Sequence, residues 1–152
     1  MTRARLPAAG DLAADFLPHA APFLLLDRIV AIDGATGRFV KGIAADDPLV
    51  SASGELSPLL IVEAMAQGAG IVLLRQGPEL RGRNVVLAAI DQCEVMDTAR
   101  VGDLLEVEVT IVRRYAVMAR VRGRASVGDR ACATASLTLA LGRDGAGTDS
   151  EG

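Results

Sequence analysis

Residues 57–76 read Ser-Pro-Leu-Leu-Ile-Val-Glu-Ala-Met-Ala-Gln-Gly-Ala-Gly-Ile-Val-Leu-Leu-Arg-Gln, and no other stretch limits the fold as strongly. Ser57 suits an N-cap, and Pro58 suits the first helical position, where a missing N–H costs nothing. Gly77-Pro78 stops the helix. About five turns lie between these signals. Nearly every side chain in them is apolar or small, so the helix must be buried on all sides. It is almost long enough to cross a bilayer, but Glu63, Gln67 and its small residues favour the core helix of a soluble protein.

Glu63 is the only ionisable side chain in the helix interior, between Val62 and Ala64-Met65-Ala66. Taking a carboxylate out of water costs several kcal/mol unless it is paired or protonated. A carboxyl among apolar neighbours is therefore a candidate for proton transfer. Pairing with one of the sixteen basic residues, or facing a subunit contact, explains it equally.

The rest of the chain supplies what must cover the helix. Asp11 to Leu17 predicts a short amphipathic helix capped by Asp11 and ended by Pro18. Phe23 to Ile32 and Arg38 to Ala44 read as two strands around the turn Asp33-Gly34-Ala35-Thr36-Gly37. Residues 45–55 form a polar loop and 79–83 a charged connector. Four strands follow: Val85 to Val95, the alternation Leu105, Val107, Val109, Ile111, a third around Val117, Ala119 and Val121, and Arg130 to Leu141. Residues 1–10 and 143–152 are expected to lie outside the domain as flexible ends. The result is α+β. A strongly curved antiparallel sheet wraps one long central helix, the hot-dog fold, and a second copy covers the helix surface left over.

At 152 residues, half of them apolar, the chain makes one domain with a real core. A net charge of −3 with interspersed signs, no Trp and one Tyr give no nucleic-acid stripe, no stacking platform and no membrane-binding run. No signal-peptide pattern opens the chain, so the expected location is the cytoplasm. Cys93 and Cys132 fit no redox spacing and are expected to be buried, inert thiols. With a single His, no metal is expected, and no cofactor.

Three stretches together resemble one family. Leu17-Pro18-His19-Ala20-Ala21-Pro22-Phe23-Leu24-Leu25-Leu26-Asp27-Arg28 is similar to the opening of FabZ-type 3-hydroxyacyl-[acyl-carrier-protein] dehydratases. Leu60-Ile61-Val62-Glu63-Ala64-Met65-Ala66-Gln67 resembles the start of their central helix. Ala88-Ala89-Ile90-Asp91, then Val101-Gly102-Asp103, resembles their third strand and following turn. The resemblance spans residues 11–141.

It implies acyl thioesters as substrates, carried by acyl carrier protein or coenzyme A. It also implies sites built at a homodimer or higher-oligomer interface. Glu63 takes the catalytic carboxylate position, with Leu59, Leu60 and Gln67 as substrate contacts. The family's other groups are a His in a Gly-His-Phe-Pro loop and a Gly N–H at the helix start. The His position falls on Leu49, and residues 46–55 hold no His. The Gly position falls on Pro58, which has no N–H; a one-residue slip makes Leu59 the donor. Glu55, at the helix mouth, and His19, the only His, are the candidates for replacing the base. Arg100, or the stripe Arg120, Arg122 and Arg124, is a candidate surface for an acidic carrier.

Three functions follow from these residues. The first is a dehydratase-family subunit with degraded chemistry, or a heterodimer with an intact dehydratase that supplies the His. The second is an acyl thioesterase using Glu63. The third is a non-catalytic structural or ligand-binding hot-dog oligomer.

Overall fold

The computed structural model describes residues 5–17 and 23–144. Six strands and one helix occur in the order β1 (Arg28–Asp33), β2 (Thr36–Gly42), α1 (Pro58–Gln76), β3 (Arg83–Val95), β4 (Leu104–Arg114), β5 (Met118–Val127) and β6 (Arg130–Asp144). They form one antiparallel sheet in the order β1-β2-β4-β5-β6-β3, and α1 packs against it. This is the hot-dog arrangement that the strand and helix patterns predict.

The alternation in β4 decides its faces. Leu105, Val107, Val109 and Ile111 are buried under α1, whereas on the other face Glu106 is exposed and Glu108 and Thr110 are half-buried. In β5, Ala119, Val121 and Ala125 are buried, and Gly123 takes the place of a fourth inward side chain. A Cβ at Gly123 would lie 2.6 Å from the Met65 sulfur, so helix and sheet approach closely only because it is absent. Phe39 of β2, fully buried, fills a slot between Gly37 and Gly68 in the same way.

The helix begins and ends where its caps predict. Ser57 occupies the N-cap, but its hydroxyl makes no capping bond, and its carbonyl instead accepts from the N–H groups of Leu60 and Ile61. Gly77 N–H closes the last turn on Leu73 O. Most of α1 is buried, which accounts for a helix whose length and composition alone would let it cross a membrane. Burial is not complete: Leu59 is exposed, and Glu63 and Gly70 are half-buried.

Several local expectations are corrected. The segment after Asp11 makes a single 3-10 turn, Ala13–Asp15, because the Asp11 carboxylate is taken by Ala8 N–H and Arg5 rather than by a helix start. The first strand begins at Arg28 rather than Phe23. The backbone of Phe23 and Leu25 bonds the Gln67 side chain instead of a neighbouring strand. β2 starts earlier, at Thr36, since a two-residue turn at Gly34-Ala35 closes the hairpin. The connector after α1 contains a 3-10 turn, Pro78–Leu80, that buries Leu80. Cys132 is buried as expected, and burial pushes its thiol up, but Cys93 is exposed on edge strand β3. Of the expected flexible ends, residues 5–10 are tied to the domain: Arg75 donates to Pro7 O, and Gly10 N–H to Ile29 O. At the other end, β6 runs on to Asp144.

A half-buried carboxylate at an apolar cavity

One face of α1 opens into a cavity of about 660 Å³. The helix contributes Glu63, Ala66, Gln67, Gly70, Leu73 and Leu74, spaced three or four residues apart and therefore in one stripe along its length. Phe16 and Leu17 close one side, and Leu80, Val85, Leu87 and Leu139 line the other. Asp15, Arg81, Arg83 and Asn84 supply the remaining polar groups. The wall thus joins apolar side chains to several polar ones, a mixture that can hold a small molecule and orient it.

Glu63 stands in this stripe, half-buried, with no ion-pair or hydrogen-bond partner among the described residues. A carboxyl so placed can hold or release a proton beside an apolar ligand. Gln67, one turn on, is only 3% exposed and is already engaged. Its Oε1 accepts from Leu25 N–H at 2.9 Å, and its Nε2 donates to Phe23 O at 2.8 Å. It lines the cavity, but its amide anchors the 23–25 segment. Leu59 and Leu60 do not line the cavity. Leu59 is 71% exposed, and Leu60 packs partly against the core.

The helix start retains one backbone donor. Pro58 has no N–H, and those of Leu60 and Ile61 go to Ser57 O. The Leu59 N–H has no acceptor among the described residues, and it lies four residues before Glu63, on the same side of the helix.

Glu55 does not join Glu63 in the cavity. It pairs with Arg100 at 3.4 Å, and its segment bridges residues 98–101. There Leu56 N–H donates to Ala99 O, Val101 N–H to Gly54 O, and the Thr98 hydroxyl to Leu56 O. Arg100 is drawn to both Glu55 and Asp97, which makes it a clamp on the helix entry. On β5, Arg120 and Arg124 pair loosely with Asp91 and Glu108, and Arg122 has no acidic partner among the described residues. Leu49, where the resemblance puts the loop His, packs partly against the core and donates its N–H to Asp47. His19 lies outside the described residues. Among the described residues no cluster of metal-ligating side chains occurs.

The sequence reading missed two features here. Lys41, the chain's only lysine, is 5% exposed and pairs with Asp47 at 3.0 Å, fastening the 45–57 loop to β2. Its signal was a lone lysine inside an apolar strand. The cavity wall was missed as well, although the helical spacing Glu63, Ala66, Gln67, Gly70 carries a trace of it.

Residues 12–146 match a family model described as ApeP-like, ApeP dehydratase. The chain belongs to the ApeP-like dehydratase family. The 3-hydroxyacyl-[acyl-carrier-protein] dehydratase FabZ of Thermoanaerobacter sp. is 36% identical over 134 residues, 85% of this chain and 94% of that protein. The FabZ of Bacillus subtilis is 35% identical, over 84% and 94%. Among solved structures, the dehydratase heterocomplex ApeI:P from Xenorhabdus doucetiae superposes with a TM-score of 0.79 at 17% identity, over 88% of this chain and 92% of that one. The smu.793 protein of Streptococcus mutans, bound to acetyl coenzyme A, gives 0.64 at 16% identity, over 84% and 98%. The family and the hot-dog fold expected from the three motifs are therefore shown.

Proposed function

We propose that this chain is a dehydratase-family subunit that binds 3-hydroxyacyl thioesters on an acyl carrier protein in the cytoplasm, in fatty-acid or polyketide-like synthesis. In this reading it lends Glu63 to a site completed by a partner's histidine. The position of Glu63 carries it: the one carboxyl on the helix stripe, facing a cavity whose described lining contains no histidine. Dehydration moves two protons. A base takes one from the carbon next to the thioester carbonyl, and an acid gives one to the departing hydroxyl, which leaves as water. A single carboxyl covers one of those steps, and residues 46–55 offer no imidazole for the other. The Leu59 N–H, without an acceptor among the described residues, is the candidate donor for the thioester oxygen as charge develops there.

Edge strand β3 supports assembly with another chain. Val86, Ile90 and Val95 are exposed on it, with Met96 just beyond. An apolar sheet edge of this kind invites pairing. The resemblance to one half of a described heterocomplex favours a related but different partner, and a homodimer would cover the same edge.

The test is mass spectrometry of 3-hydroxyacyl thioesters incubated with the pure chain, and with the chain co-expressed beside a FabZ-type relative that keeps its Gly-His-Phe-Pro loop. The pure chain is expected to give no water loss and the mixture more than the relative alone, the excess falling by about 10²-fold or more with Glu63→Gln in this chain. Equal water loss by the chain alone would overturn the partner requirement and direct attention to His19. Release of free thiol would make it a thioesterase. No turnover in any mixture would leave a non-catalytic binding module.

A further inference from the structure

Two glycines lie near the middle of α1, and they are there for different reasons. A Cβ at Gly68 would fall 2.9 Å from the Phe39 ring, so packing demands a glycine. A Cβ at Gly70 would meet nothing within 4 Å. Gly70 lines the cavity, seven residues beyond Glu63 and therefore about 10 Å along the same helix face. Glycine is the poorest helix former after proline, and no packing contact within the described residues of this chain asks for it. The space it leaves belongs to the cavity that Val85 and Leu87 also line.

We propose that Gly70 sets the length of acyl chain this protein accepts. This rests on reading the cavity as the acyl site, with the reacting carbons beside Glu63. A chain running from there along the helix toward Leu73 passes Gly70 about two turns on. A short chain ends before it and a long one must cross it. A large side chain at this position would narrow the cavity, so the residue acts on specificity and takes no part in the proton transfers.

The test uses the full chain, in whatever assembly it forms when purified, with 3-hydroxybutyryl-pantetheine and 3-hydroxydodecanoyl-pantetheine as probes, titrated calorimetrically. The substitution is Gly70→Leu. Affinity for the long probe is expected to drop by about tenfold or more, with a much smaller change for the short one. The variant should melt at or above the parent temperature and keep its oligomeric size, whereas Gly68→Leu should melt far below it. Equal losses for both probes, or none, would overturn the inference while leaving the acyl-site reading intact. A lower melting temperature or a smaller oligomer for Gly70→Leu would show that a neighbouring protein surface fills the space, which also overturns it. Failure of the parent chain to bind either probe would remove the acyl-site reading and this inference with it.

Discussion

The Lys41 ammonium lies 3.0 Å from the Asp47 carboxylate, both largely withdrawn from water, and joins the core face of β2 to the loop that leads into α1. Burial alone would push the Asp47 carboxyl up. The Leu49 N–H and the Lys41 ammonium outweigh that and hold it below its ordinary value. A carboxyl lowered by folding stabilises the fold above its ordinary value, and that contribution is lost as pH falls through the lowered one. Lys41→Met leaves Asp47 with only the Leu49 bond and is expected to cost about 3 kcal/mol. Lys41→Met with Asp47→Leu should recover most of it. Urea unfolding of the three proteins at neutral pH checks both values.

A second acid response belongs to Asp97. The Arg130 guanidinium, 2.8 Å away, is the main reason its carboxyl falls to about 2, with Thr98 N–H assisting. Its contribution is present above 3.8, the ordinary value, and is lost as pH drops from there toward about 2. Arg130→Met is expected to flatten the fall in unfolding midpoint across that window, relative to the parent protein. If both proteins lose stability with the same slope, the pair does not act on the fold.

Gly68→Ala tests how tightly Phe39 is enclosed. Alanine favours helix by about 1 kcal/mol over glycine. The added methyl would lie 2.9 Å from a ring that is itself fully buried. Overpacking of this kind costs about 1–3 kcal/mol, so a net loss of stability is expected. Thermal unfolding of the variant decides it, and a rise in melting temperature would mean that the ring moves aside freely.

Gln67→Leu separates anchoring from substrate contact. The variant strips Leu25 N–H of its acceptor and Phe23 O of its donor. Leaving a buried N–H unpaired costs about 1–3 kcal/mol. Hydrogen exchange at Leu25 should speed up and the melting temperature should fall, without ligand present. Unchanged stability would show that the amide matters to the ligand instead.

The helix and the sheet that surrounds it follow from chemistry legible in the order of residues. Pro58 and Gly77 fix α1 through backbone chemistry that acts within a turn or two, and the alternation Leu105 to Ile111 fixes the faces of β4 through the two-residue period of a strand. These are local rules, so they can be read locally. The Glu63 stripe was partly legible for the same reason, since a helix brings residues 63, 66, 67 and 70 to one side.

What faces that stripe depends on how the strands are ordered in space. Val85, Leu87 and Leu139 reach it because β3 crosses to the far edge of the sheet beside β6. That crossing also leaves Cys93 exposed, although the largely apolar run from Val85 to Val95 suggests burial. Glu55 sits near Glu63 in the chain, but the bridge from residues 54–56 to 98–101 turns it to Arg100. Partners of this kind are chosen by strand order and loop closure between separate elements, where hydrophobic period and capping chemistry carry no information.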